Sequence, residues 1–255
     1  MKRCIAFSLG ILLILCALHF AQKGILLVES HKAQISEICI VIDAGHGGSD
    51  PGKVGVNDAL EKDINLIVAQ KLADLLRQNH ISIVMTRNSD QGLYSEAAEN
   101  QKVDDMHKRC KLIDDANPLF TVSIHQNSYP DPSIKGAQVF YYAQSEKGKN
   151  LAETIQSALV SQVDPQNHRL AKANESYYLL RKTSSPTIIV ECGFLSNPEE
   201  ASLLLQDDYQ GKLANAVCSG ILTYLAREFP ENANLSAPFD TEIPDGFSPT
   251  ESSLD

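Results

Sequence analysis

The stretch Ile38-Cys39-Ile40-Val41-Ile42-Asp43, with the loop behind it, Ala44-Gly45-His46-Gly47-Gly48-Ser49-Asp50-Pro51-Gly52-Lys53, decides how this chain is read. Five apolar residues, four of them β-branched, end in an acid. The run is too short for a core helix and predicts a strand buried on both faces. Beyond the glycine-rich loop, residues 61–79 place Ile64, Ile67/Val68, Leu72 and Leu75/Leu76 at the 3–4 spacing of an amphipathic helix. Residues 81–85, 119–124, 136–142, 177–180 and 187–190 predict further strands. Residues 94–116 (after an initial loop), 147–163 and 198–229 read as helical, the last as one or two closing helices. Strands alternating with helices predict an α/β fold: a single three-layer domain with a twisted, mostly parallel or mixed sheet of about six strands flanked by helices.

The chain has 255 residues, is 43% hydrophobic and carries a net charge of −10. Residues 1–36 hold +3 and residues 230–255 hold −6, which leaves −7 on 37–229. A net-negative central domain without tryptophan excludes a nucleic-acid groove, which needs a basic face and stacking platforms. Met1-Lys2-Arg3 precedes an apolar run over 4–21, broken only by Ser8, Gly10 and His19. That pattern predicts a signal anchor holding the domain on the outer side of a membrane, or a secreted protein if the segment is cleaved. The site His19-Phe20-Ala21 is a poor cleavage site and Leu15-Cys16 a poor lipoprotein site, so the uncleaved anchor is the expectation. Residues 230–255 contain four prolines and no base, and read as a solvated acidic tail. The expected organisation is therefore an anchor and stalk over 1–36, a catalytic domain over 37–229 and a disordered tail over 230–255. Cys39, Cys110, Cys192 and Cys218 are too widely spaced to suggest a connectivity; Cys39 and Cys192 are expected to be buried free thiols.

Three ionisable residues share one position in the pattern. His46, His125 and Glu191 follow the strands predicted at 38–42, 119–124 and 187–190. In open α/β sheets ligands gather outside the carboxyl ends of parallel strands, so these side chains converge if the strands are parallel. Glu61 opens the first helix and can join them from the same rim. Two imidazoles and a carboxylate with a second carboxylate nearby are the parts of a catalytic zinc site, in which three ligands leave a position for water and the spare carboxylate takes a proton. Glu61 has a rival role, because Asp58-x-x-Glu61 before an apolar run also fits a helix capping arrangement. Glu191 behind Thr187-Ile188-Ile189-Val190 would be costly to bury without a partner.

Other chemistries fit less well. Gly47 to Lys53 has the G-x-x-x-x-G-K spacing of a phosphate-binding loop, but Val54 replaces the magnesium-binding hydroxyl, Asp50 would repel phosphate and Pro51 removes a donor. No Gly-x-Ser-x-Gly elbow is present, and Cys192 lacks an obvious base.

Taken together, Ile42-Asp43-Ala44-Gly45-His46-Gly47-Gly48, Glu61-Lys62-Asp63-Ile64-Asn65, Thr86-Arg87, Arg109 with Ala116-Asn117, Ser123-Ile124-His125-Gln126-Asn127 and Val190-Glu191-Cys192-Gly193-Phe194-Leu195-Ser196-Asn197 resemble the zinc-dependent N-acetylmuramoyl-L-alanine amidases over about residues 38–228. The resemblance implies that His46, Glu61 and His125 bind Zn²⁺ and that Glu191 is the catalytic carboxylate. It also implies peptidoglycan as substrate, cleaved between the lactyl group and L-alanine. Tyr178-Leu179-Leu180-Arg181 and the single anchored domain look most like the CwlD-type amidases of spore formers. That likeness implies a role in spore cortex maturation and germination, with an accessory activating protein a potential partner. A vegetative autolysin, a zinc peptidase acting within the stem peptide and a non-catalytic peptidoglycan-binding protein are the alternatives. Arg87 and Arg109 are expected in structural ion pairs rather than on a stem-peptide carboxylate.

Overall fold

The alternation inside the opening strand sets the layers. In the computed structural model, which describes residues 38–230 and the isolated positions 16, 19, 20 and 23, β1 (Cys39–Ala44) runs parallel to β2 (Ser82–Met85) and to β3 (Phe120–Asn127), one on each side. Ile40 and Ile42 face one layer of helices and Val41 faces the other, as period-two alternation demands. The sheet has six strands. β6 (Thr187–Phe194) is parallel to β3, β4 (Gln138–Tyr142) is antiparallel to β6, and β5 (Lys172–Asn174) is parallel to β4. The predicted three-layer α/β domain with a mixed sheet is the observed one.

The larger layer holds α1 (Glu61–Gln78), α3 (Glu146–Gln162) and α6 (Asp207–Glu228). Ile64, Val68, Leu72 and Leu76 of α1 pack with Leu151, Ile155 and Leu159 of α3 and Leu213, Val217 and Ile221 of α6. Each such side chain contributes about 1.5–3 kcal/mol on burial, so this layer carries most of the hydrophobic stabilisation. The other face is thinner. Cys110 and Ile113 of α2 (Gln101–Ala116) and Leu179 of α4 (Tyr178–Lys182) cover Val41. Asn100 starts α2 by accepting from the backbone N–H of Val103, and Asn197 starts α5 (Pro198–Leu203) by accepting from Glu200.

Two expectations need correction. Residues 177–180 are not a strand: Tyr178–Lys182 forms the helix α4. Leu179 packs under α2 while Leu180 packs on Phe140 and Ile189, so consecutive apolar residues serve two clusters at one helical turn. A four-residue apolar run cannot distinguish that from a strand. The sixth strand is instead Lys172–Asn174, a short polar edge whose charge suits its exposure. Second, β3 and β6 extend further than their apolar runs, so His125 and Glu191 lie within strands rather than behind them.

Among the described residues no helix is long and apolar enough to cross a membrane. The apolar run over 4–21, apart from positions 16, 19 and 20, and the acidic tail beyond residue 230 lie outside them. Cys39, Cys110, Cys192 and Cys218 are free; Cys192 is buried and Cys39 only half-buried.

Candidate active site

The parallel register of β1, β3 and β6 gathers the predicted residues. Ala44 pairs with Ile124, Ile124 with Val190, and His125 lies directly opposite Glu191. Side chains opposite each other on neighbouring strands share a face, so His125 and Glu191 stand side by side. His46 comes in from the loop after β1, where its backbone takes a left-handed conformation at φ +62°. That conformation is uncommon for a residue with a Cβ and is held here by hydrogen bonds. Gly47 and Asp50 exchange backbone hydrogen bonds of 3.0 and 3.1 Å, and Arg109 Nη2 donates to the His46 carbonyl at 2.7 Å.

Glu61 is the first residue of α1, behind Leu60, whose side chain makes no capping bond. The capping arrangement is therefore not formed; the Glu61 carboxylate turns into the sheet. Its Oε2 accepts from the Lys53 N–H at 2.7 Å and its Oε1 from the Gln126 N–H at 3.1 Å. His125 Nδ1 lies 2.9 Å from Oε1 and His46 Nε2 lies 3.3 Å from Oε2. Burial alone would raise the Glu61 pKa, but the hydrogen bonds and charges of His125 and His46 hold the carboxyl far below the usual range. It is ionised.

Donor atoms of His46, Glu61 and His125 all lie within 4.8 Å of one another. The two rings meet edge-on with centroids 5.0 Å apart and keep 26% and 21% of their side-chain surface exposed, so a further ligand can reach them. Two glycines make room for this packing. A Cβ on Gly45 would fall 2.3 Å from the His125 ring, and one on Gly52, at φ +70°, would fall 2.5 Å from Glu61 Oε2.

Glu191 stands beside the three without sharing their contacts. Its Oε2 is buried with no hydrogen-bond partner among the described residues, and its Oε1 accepts from the Tyr177 hydroxyl at 3.4 Å. Burial pushes its pKa up; the His125 charge opposes, Glu61 adds to the rise, and the Tyr177 hydroxyl opposes again. Glu191, Tyr177, His125 and His46 line a cleft of about 280 Å³ together with Lys102, Met106 and Tyr178. Two imidazoles and one ionised carboxylate are a donor set that zinc accepts, with room for water at the remaining position. An orphaned carboxylate oxygen alongside is where a proton acceptor for that water belongs. The residues present fit the ion.

The family described as N-acetylmuramoyl-L-alanine amidase (Amidase_3) matches residues 40–223. The chain belongs to this family. It is an amidase by descent as well as by architecture. The germination-specific N-acetylmuramoyl-L-alanine amidase of Bacillus subtilis is 34% identical over 227 residues, covering 88% of this chain and 95% of that protein. Among solved structures, the CwlD amidase from Clostridioides difficile, in complex with the GerS lipoprotein, is 36% identical. It aligns with a TM-score of 0.73 over 75% of this chain and all of the other. The amidase AmiC2 of Nostoc punctiforme is 33% identical at a TM-score of 0.65, covering 74% of this chain and 98% of its own.

Within the amidase, of the two arginines expected in structural ion pairs only Arg109 forms them among the described residues. Arg109 forms a buried ion pair with Asp43 at 2.6 Å and another with Asp105. Arg87 instead donates to the carbonyls of Ala44, Gly45, Lys62 and Ser89. Two contacts of the site had no separate signal in the sequence. Tyr177 reaches Glu191 only because the segment before α4 is not a strand. Asp50 meets His46 Nδ1 at 2.8 Å. The one hint of that contact is an acid four residues after a histidine in a turn of glycines.

Proposed function

We propose that this amidase hydrolyses the amide between the lactyl group of N-acetylmuramic acid and L-alanine in peptidoglycan, with His46, Glu61 and His125 holding Zn²⁺ and Glu191 as the catalytic carboxylate. The observation that carries the reading is the convergence of three donor residues within 4.8 Å beside a buried carboxylate oxygen that nothing else uses. Zinc at such a site supplies Lewis-acid polarisation of the amide carbonyl and lowers the pKa of water toward ~7. Glu191 accepts the proton of the attacking water through Oε2 and delivers it to the departing L-alanine nitrogen. The Tyr177 hydroxyl fixes the other oxygen of Glu191, and the backbone N–H groups of Lys53 and Gln126 hold both oxygens of Glu61, whose ionised form His125 and His46 favour.

The likeness to a germination-specific amidase and to CwlD supports a place in spore cortex maturation and germination, where peptide removal from muramic acid precedes δ-lactam formation. Action is then extracytoplasmic, with the run over 4–21 as tether, and an accessory lipoprotein of the kind found with CwlD is the partner class. Mass spectrometry of digested wall material tests the chemistry. Free peptides beginning in L-alanine are expected; shortened stem peptides would make the protein a peptidase, and no product would make it a binding protein.

A further inference from the structure

Asp50 belongs to the glycine loop whose spacing imitates a phosphate-binding loop, and the proposed reaction leaves it without a role. Its geometry gives it one. The carboxylate is held on two sides: Oδ2 lies 2.8 Å from His46 Nδ1, while Oδ1 pairs with Lys102 Nζ at 3.0 Å and accepts from the Gly52 N–H at 3.4 Å. The backbone exchange between Gly47 and Asp50 folds the turn back so that this side chain reaches a ring four residues earlier. Gly48, at φ +58° inside that turn, allows it.

An imidazole has two nitrogens and in its neutral form one proton, so fixing a donor at Nδ1 leaves the lone pair on Nε2. Nε2 is the nitrogen of His46 that faces Glu61. We propose that Asp50 is a positioning residue: it holds His46 as the Nδ1–H tautomer, with Nε2 aimed at the metal position, and Lys102 holds Asp50 in place. The proposal rests on His46 being a metal ligand, and it goes beyond that assignment by naming what keeps the ligand competent. The left-handed backbone at His46 makes such a hold necessary. Backbone contacts fix its main chain, but no other side chain among the described residues bonds its Nδ1.

A carboxylate behind a metal-bound histidine raises the basicity of the ligand and fixes its ring. Losing it typically costs 10–100-fold in metal affinity. The test measures zinc affinity of the full chain by competition with a chelating dye, for the parent and for Asp50→Ala and Asp50→Asn. Asp50→Ala is expected to bind zinc ~10–100-fold more weakly, and Asp50→Asn, which keeps an acceptor but not the charge, to fall between it and the parent. The near-isosteric Asn variant carries the test if the Ala variant does not fold. Proton NMR of zinc-loaded protein gives a second readout, one that does not depend on turnover. A low-field His46 Nδ1–H resonance is expected in the parent and is lost or shifted upfield in both variants. Parent-like affinity with the resonance unmoved overturns the proposal. A parent that binds no zinc would instead overturn the metal assignment beneath it, so the two failures are distinguishable.

Discussion

Arg109→Met removes the group that joins the fold to the site. The Arg109 and Asp43 side chains are each 2% exposed, and Nη1 lies 2.6 Å from Asp43 Oδ1. Asp43 also accepts from the Ser123 hydroxyl at 2.6 Å and the Thr86 hydroxyl at 2.8 Å. Burial alone would raise the Asp43 pKa; the Arg109 charge and these hydroxyls bring it down from 3.8 to about 2. At 1.36 kcal/mol per unit, the shift corresponds to roughly 2 kcal/mol of stability at neutral pH. Methionine keeps the length of the side chain and deletes the charge. Asp43 is then buried without a counter-ion, a change that costs about 3–5 kcal/mol.

The sign of the pH dependence follows from the direction of the shift. A carboxyl lowered in the folded state contributes fully above 3.8 and loses that contribution as pH falls through about 2. In Arg109→Met the burial is unopposed by the arginine, so Asp43 takes up a proton near or above its unfolded value and the deficit narrows on acidification. Urea unfolding of metal-free protein at pH 7 and pH 4 measures both. The expected deficit is about 3–5 kcal/mol at pH 7 and smaller at pH 4, with part of it recovered in Arg109→Met/Asp43→Asn. A deficit below about 1 kcal/mol at pH 7, or one that grows on acidification, refutes the reasoning. Zinc affinity should fall in the same variant, because Nη2 no longer holds the His46 carbonyl.

Three further outcomes are expected. Glu191→Gln should retain its zinc and lose turnover by at least ~100-fold, checked by elemental analysis beside peptide release from cell wall; loss of the metal would make Glu191 a ligand. Glu61→Gln should drop zinc content from near stoichiometric to roughly a tenth or less after desalting, since two remaining donors make a poor catalytic site, whereas a purely structural Glu61 would leave the content unchanged. Metal-free protein should lose stability above neutral pH: burial lowers the His125 pKa but Glu61, with help from Glu191 and Asp43, raises it from 6.5 to about 9. Stability tied to that proton is complete below 6.5 and lost as pH rises through about 9, up to roughly 3 kcal/mol. Zinc-loaded protein should show a flatter melting profile across that window, because a ligand imidazole is already neutral.

What the sequence revealed follows from how local each signal is. Strands β1, β3 and β6 are buried on both faces; β1 and the first half of β6 are apolar runs, β3 alternates Phe120, Val122 and Ile124 with Thr121 and Ser123, and residues toward their carboxyl ends are the ones that meet. A parallel register brings His125 opposite Glu191 without any further information. Helices α1, α3 and α6 each bury one stripe, so their period was visible. The signals that failed were those whose meaning depends on partners distant in the chain. Residues 178–182 are helical because Leu179 and Leu180 have separate clusters to fill, one under α2 and one beside β4. Lys172–Asn174 is a strand only because β4 offers it an edge; its own residues carry no β signal.

Asp43 and Asp50 show the same limit at the site. In the sequence Asp43 is the polar end of a strand and Asp50 a flaw in an apparent phosphate loop. In the fold Asp43 anchors Arg109, whose other end fixes the His46 main chain, and Asp50 bonds the His46 ring. One histidine in a left-handed backbone conformation is thus held from both sides by carboxylates, one acting through an arginine 66 residues away from Asp43 and one acting directly. Neither acid touches the three donor positions as a fourth ligand. The physical consequence is that the rigidity of the site is set by buried charge around His46 as much as by the donors themselves. Variants that weaken zinc binding without altering any donor should therefore cluster on Asp43, Arg109 and Asp50 rather than on the exposed rim of the cleft.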